Sequence, residues 1–236
     1  MYAKVARIYD LLYTGTGIKD YPAESDALHA IIQESSPGAR TLLDVACGTG
    51  AHLEILRRWY EVEGVDLSPE MLEVARARLR DVPLHVADMR TLDLPRKFDA
   101  VTCLFSAIGY VTEPAEMRST IQRLANHVAP GGVLIVDGWI RPEDWADDYR
   151  RGPDVASDDE TMVVRLTLSR RTGSITEMDM HHLVRDAEGI DHFVQHHRLA
   201  LVPTAEYLAA FEAAGLKPHV APFMPSRDRV VGTKPR

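Results

Sequence analysis

The chain has little cysteine, little lysine and no long apolar run, and each shortage removes a class of protein. Two cysteines in 236 residues, Cys47 and Cys103, cannot build a disulfide framework, and neither has a C-x-x-C partner. No apolar run reaches the ~18 residues of a membrane-spanning helix, and Met1-Tyr-Ala-Lys-Val5 lacks the apolar stretch of an export signal. Lysine is outnumbered by arginine among the 27 basic residues, and 35 acidic residues bring the formal net charge to −8. That balance opposes a protein that wraps nucleic-acid phosphates. What remains is ordinary, with 45% hydrophobic and 26% charged residues. A chain this long buries a core without covalent staples. The expectation is one cytoplasmic domain over residues 1–236, with neither nucleic acid nor membrane as partner.

From residue 41 onward short apolar runs alternate with helical patterns. Thr41–Ala46, Glu61–Asp66, Leu84–Ala87, Phe98–Phe105 and Val133–Val136 read as strands, nearly continuous in apolar character as a sheet covered on both faces requires. Helices are expected over His52–Trp59, from Ser68 with Pro69 at its first position, and over Glu116–Ala129 before Pro130-Gly-Gly132. Before this core, Tyr2–Leu12 and Pro22–Glu34 read as helices, so residues 1–36 are expected to form a helical lid. The fold class is α/β, a doubly wound and mostly parallel seven-stranded sheet. Residues 161–202 break the pattern with three period-two runs joined by Arg171-Thr-Gly173 and Asp186-Ala-Glu-Gly189, an antiparallel three-stranded insert. Thr204 is expected to cap a helix that Gly215 closes, and two short strands end the chain.

Asp44-Val-Ala-Cys-Gly-Thr-Gly50 lies between a strand and a helix, where glycines let the backbone approach a ligand and leave helix amides free to bind it. The dinucleotide fingerprint lacks its third glycine, and the Gly-Lys-Ser/Thr of a phosphate loop is absent. Asp66 ends the second strand, where a carboxylate can accept both hydroxyls of a ribose. Asp88 and Met89 end the third, suited to an adenine amino group and its face, and Phe105-Ser106 ends the fourth. Each aspartate alone would read as a helix cap or solvated loop. Four strand tips together place a ligand at the carboxyl edge of one sheet.

These residues resemble the class I S-adenosylmethionine-dependent methyltransferases, whose first motif is similar to Asp44–Gly50 and whose acidic second strand tip is similar to Asp66. A narrower resemblance runs the full length. Leu43–Gly50, Ala87–Arg90, Phe98–Gly109 and Ala129–Val133 resemble nucleotide-diphosphate (TDP) aminosugar N,N-dimethyltransferases of the desosamine and mycaminose type, as do Ile8–Tyr13, Lys19-Asp-Tyr21, Trp139 and Pro225-Ser226. Gly15-Thr-Gly-Ile-Lys-Asp-Tyr21 is one residue longer than the family's loop and lacks its arginine, and Tyr110 stands where members often carry histidine. The resemblance implies S-adenosylmethionine held by Tyr21, Asp44, Ala46, Gly48, Gly50, Asp66, Leu67, Met71, Asp88, Met89 and Phe105. It implies a nucleotide-linked aminosugar contacted by Ser106, Trp139, His181 and His196.

An amine acceptor asks little of the protein beyond geometry. A neutral amine is already nucleophilic, and alignment with the methyl donor supplies effective molarities of ~10⁵ M or more. Tyr13 and Tyr110 are the candidates to contact the amine, as phenols un-ionised at neutral pH with pKa ~10. Tyr9 is expected to pack. Asp137, Asp144, Asp147 and Asp148 could surround magnesium, but the latter three suit a solvated loop. His181 alternates with Glu177 and Asp179 while His182 alternates with Met178 and Met180, so the histidines split between two faces and no metal is expected. Catalysis is expected on an aminosugar in antibiotic biosynthesis. The alternatives are N- or O-methylation of another metabolite, or cofactor binding without turnover. The insert is expected to wall the acceptor pocket and to offer a contact to a second copy of the chain.

Overall fold

The computed structural model describes residues 2–146 and 150–236, so Asp147 and Asp148 fall outside the described residues. In chain order the helices are α1 (Tyr2–Gly15), α2 (Tyr21–Ser35), α3 (Ala51–Leu56), α4 (Pro69–Arg78), α5 (Pro114–Asn126) and α6 (Thr204–Ala213). The strands are β1 (Thr41–Val45), β2 (Glu61–Asp66), β3 (Leu84–Val86), β4 (Phe98–Cys103), β5 (Val128–Ile140), β6 (Arg150–Ser157), β7 (Met162–Thr172), β8 (Ile175–Asp186), β9 (Gly189–Ala200), β10 (Lys217–Ala221) and β11 (Arg227–Thr233).

Seven strands form one sheet in the order β10-β11-β5-β4-β1-β2-β3. Only β11 runs against the rest, antiparallel to both β5 and β10. The strands are apolar throughout because neighbours in sequence point to opposite faces and both faces are covered. Leu42, Val62, Ala100 and Ile135 pack beneath Leu28 and Ile32 of α2, Leu53 of α3 and Leu72 of α4. Leu43, Val65, Val101 and Leu134 face Ile121 and Leu124 of α5 and Phe211 of α6. Cys47 and Cys103 are buried, one in each layer, as small apolar residues. The order reverses beside β1, with β2 on one side and β4 on the other, and such a switch point opens a crevice at the carboxyl ends of the strands.

The structure corrects several boundaries. The insert has four strands rather than three, ordered β6-β7-β8-β9, because Arg150–Ser157 pairs with β7 across a bulge. Pro130–Gly132 lies inside β5 instead of ending a long helix. There the Gly131 amide and Gly132 carbonyl bond the Lys234 backbone at 2.9 and 2.8 Å. Thr204 caps nothing, since Pro203 holds the cap position and the Thr204 hydroxyl donates to Asp228. Of the N-terminal pair only α1 lies over the crevice. Leu28 and Ile32 commit α2 to the helical layer.

Candidate active site

The glycine turn after β1 takes its shape from left-handed backbone at Ala46, Gly48 and Gly50 (φ 62°, 57° and 74°). The two glycines serve different ends. A Cβ on Gly48 would meet nothing within 4 Å, so this residue leaves space above the turn. A Cβ on Gly50 would sit 2.7 Å from Leu79 Cδ1, so Gly50 lets α4 pack close and lies away from the cavity. Asp66 at the tip of β2 accepts the Gly48 amide on Oδ2 and the Ser68 amide on Oδ1, both at 2.8 Å. Its carboxylate is thereby aimed and still has lone pairs for a diol. Burial raises its pKa, and the backbone amides of Ser68, Gly48 and Leu67 pull it back. Asp44 lies deeper, nearly inaccessible, and accepts from the Thr102 hydroxyl at 2.8 Å. Burial pushes its pKa up to about 6.

Above this cradle lies a cavity of 520 Å³. Ala46, Gly48, Asp66, Leu67, Met71, Asp88, Met89 and Phe105 line one side, the cofactor positions read from sequence. Asp88 is gripped by Arg90, which holds its carboxyl below the ordinary carboxylate range. Phe105 adopts φ 52° and donates its amide to Asp137 at 3.1 Å. The Lys19 ammonium, itself buried and bonded to Glu24 at 2.6 Å, sits 4.0 Å above the Phe105 ring. Open space over Gly48, an aimed carboxylate and Met89 beside Asp88 fit the sugar and base of S-adenosylmethionine.

The other walls come from α1, from the turn after β4, from Trp139 near the end of β5 and from one face of the insert. Tyr13, Tyr110 and Trp139 all line the cavity. The Tyr13 ring meets Phe105 edge-on at 5.1 Å and lies under the Arg165 guanidinium at 5.0 Å. Arg165 is buried on β7, its Nε and Nη2 bonded to Asp154 Oδ2 at 3.1 and 2.7 Å. Arg227 lies over Trp139 at 4.3 Å.

Six expected site residues stand elsewhere. Gly50 and Asp44 are placed as described above. The Tyr21 ring packs edge-on against His52 at 4.9 Å, outside the cavity wall. Ser106 is buried and donates to the Gly138 carbonyl at 2.7 Å, holding the turn after β4. The insert histidines require the clearest correction. His181 and His196 lie on the outer face of the small sheet, where His181 stacks on His192 and His196 meets Asp179 at 2.7 Å. Strand alternation instead turns His182, with Met178 and Met180, into the cavity, and His197 and Gln195 follow from β9. Burial, with the Arg165 charge next, pushes both His182 and His197 down to about 4. Period-two spacing in the sequence already separated the two histidine sets. It could not say which set faces the crevice. Of the aspartates weighed as metal ligands, Asp137 is bonded to Arg229 and Asp144 to Arg141.

Residues 42–132 match the family model described as a methyltransferase domain. A dTDP-3-amino-3,6-dideoxy-α-D-glucopyranose N,N-dimethyltransferase from Streptomyces fradiae is 42% identical over 225 residues, covering 94% of this chain and 88% of the relative. The crystal structure of Streptomyces venezuelae DesVI superposes with a TM-score of 0.92 at 41% identity over 98% of each chain. The structure of S-adenosylmethionine-bound CalS10, an amino pentose methyltransferase from Micromonospora echinaspora, gives 0.86 at 41% identity over 96% of each. A sheet of this order, cradling a glycine turn beneath an acidic strand tip, defines a class I S-adenosylmethionine-dependent methyltransferase. Within that class the chain belongs to the TDP-aminosugar N,N-dimethyltransferases.

Proposed function

We propose that the protein transfers methyl groups from S-adenosylmethionine to the amino group of a dTDP-linked deoxyaminosugar, twice in succession, in antibiotic biosynthesis. The observation that carries this reading is the shape of the cavity. One side is a cofactor cradle, and the facing side, with Tyr13, Tyr110, Met178 and Met180, has the mixed character a deoxygenated sugar ring needs. Ala46, Gly48, Asp66 and Asp88 hold the cofactor in this reading, with Leu67, Met71, Met89 and Phe105 packed against it. Asp44 serves its amino-acid end from below. S-adenosylmethionine, when bound, supplies an electrophilic methyl carbon on a positively charged sulfur.

The chain's own residues align the nucleophile and keep water out. Tyr13 and Tyr110 accept hydrogen bonds from the amine N–H groups and turn the nitrogen lone pair toward the methyl carbon. The transferred carbon would exchange its bond to sulfur for one to nitrogen, with the C–S electron pair left on sulfur. The nitrogen then sheds a proton before it can attack again. Arg227, over the Trp139 ring, brings positive charge toward the nucleotide diphosphate. α1 covers the reacting centre as a lid, and the insert is the acceptor wall.

The outer face of the insert supports association of two copies in the cytoplasm, where we place the enzyme. Leu166, Leu168 and Leu183 are about half exposed there, side by side on paired strands. Sedimentation should give a dimer, and Leu166→Asp should yield monomer. A wild-type monomer at micromolar concentration would end that part of the reading.

The function is tested with a panel of dTDP-3-amino and dTDP-4-amino deoxyhexoses and an aminopentose, incubated with S-adenosylmethionine and followed by mass. One substrate gaining 14 and then 28 mass units is the expected result. Failure of the whole panel, with cofactor binding intact, would overturn it.

A further inference from the structure

On the cavity wall the Tyr110 hydroxyl lies 2.8 Å from Nδ1 of His197, joining the turn after β4 to the middle of β9. His197 belongs to no motif by which the family is recognised above. Met178 of β8 pairs with it, and the titratable and charged groups around it are Arg165 on β7, His182 on β8, His196 on its own strand and Tyr110. We infer that His197 is a positioning residue for methyl transfer, accepting the Tyr110 hydroxyl proton in a hydrogen bond so that the phenol oxygen is left to accept from the substrate amine. This rests on the aminosugar reading above, in which Tyr110 meets the amine.

The reasoning is one of donors and acceptors. A phenol has one proton and two lone pairs, and a neutral imidazole has one donor and one acceptor nitrogen. Left alone, the half-exposed phenol could donate to the amine lone pair, the very electrons that must reach the methyl carbon. With Nδ1 accepting the phenol proton and Nε2 carrying the imidazole's own, Tyr110 can only accept from the amine. The same surroundings argue against a relay. Carrying the amine's proton would make His197 cationic in a half-buried place beside the Arg165 charge, where its basicity is already low. The proton therefore leaves to water, and His197 orients the phenol.

The test uses the full chain and the best aminosugar nucleotide of the panel. Asparagine places its Oδ1 near the site of Nδ1, whereas glutamine reaches toward Nε2. His197→Asn should keep kcat/KM within about threefold of wild type, and His197→Leu and His197→Gln should lose about tenfold, the loss expected for one hydrogen bond. Cofactor affinity by calorimetry should be unchanged in all three. In a Tyr110→Phe background, His197→Leu should add less than twofold. Equal activity of all variants, equal impairment of Asn and Gln, or additive losses in the double variant would each overturn the assignment. So would loss of the rising limb of the kcat/KM–pH profile in His197→Asn, which would make the imidazole a proton acceptor. If His197→Leu lost cofactor binding, the Asn and Gln pair would decide alone. A wild type inactive on the whole panel would overturn the substrate reading itself. An active wild type with indifferent His197 variants would overturn only this inference.

Discussion

Arg229 on β11 grips Asp137 on β5 with two parallel hydrogen bonds, Nε to Oδ1 at 2.7 Å and Nη2 to Oδ2 at 3.0 Å, where the carboxylate is fully buried. The same Oδ2 accepts the Phe105 amide. The pair thus fixes the left-handed turn at Phe105 and Ser106, which carries Phe105 to the edge of the cavity, and ties the reversed strand to the sheet. Breaking a buried pair strands one charge, which costs about 3–5 kcal/mol. Arg229→Met should lower the unfolding midpoint in urea sharply, and Asp137→Asn less, since its amide carbonyl still accepts. A variant pair as stable as wild type would show the ion pair to be idle.

Asp66 holds its place through backbone amides on both oxygens, so the carboxylate meets a ligand without rearranging. Asp66→Asn should weaken S-adenosylmethionine binding about tenfold to a hundredfold, the range for a hydrogen bond to a charged group, while the fold persists. Calorimetry on both proteins, with a melting curve as control, gives the answer. Unchanged affinity would remove Asp66 from the cofactor site.

Asp44 carries a pH signature of known sign. Its folded pKa, about 6, lies above the ~3.9 of an unfolded chain, so the folded state binds more protons between those values. The group therefore favours folding in acid and loses that contribution as pH rises through 6. Asp44→Asn removes the charge and keeps an oxygen to accept from Thr102. The variant should be more stable than wild type at pH 7 by about 2 kcal/mol, with the difference shrinking toward pH 4. It should also bind cofactor more weakly. Urea melts at pH 4.5 and 7 check the slope, and an advantage that is the same at both would refute the assignment.

α1 is latched by one acidic side chain. Asp10 accepts the Thr49 hydroxyl at 2.7 Å and Arg78 Nη2 at 2.6 Å, while Arg78 Nη1 also donates to the Thr49 carbonyl at 2.9 Å. α1, the glycine turn and the end of α4 meet at this point. Asp10→Ala should speed cofactor dissociation several-fold in stopped flow with a small change in global stability, because the contact is partly exposed. An unaltered off-rate would mean that packing by Ile8 and Leu12 holds the helix by itself.

Much of this molecule was legible in its residues. Short apolar strands, the glycine turn and acidic strand tips each have a local physical cause, which is why the α/β class and the seven-stranded sheet could be read from order, and why the turn and the strand tips meet at one side of the cavity. Ala46, Gly48, Asp66, Asp88 and Met89 reach the cavity wall through their positions at or just beyond strand ends. The wall formed by the insert was different. Alternation in Glu177–Val184 divides the side chains between two faces, yet the choice of face depends on α1 and the main sheet, which are far away in sequence. Contact with Ile8 and Leu12 through Val163 and Val184 made that choice, and with it turned His182 and His197 inward and His181 and His196 out. Asp137 looked like a possible metal ligand until a strand ninety residues later supplied Arg229. Gly50 looked like Gly48 until α4 packed against it. Local order set the backbone and the cradle, and long-range packing, which no short window of sequence contains, selected the partners of each polar group.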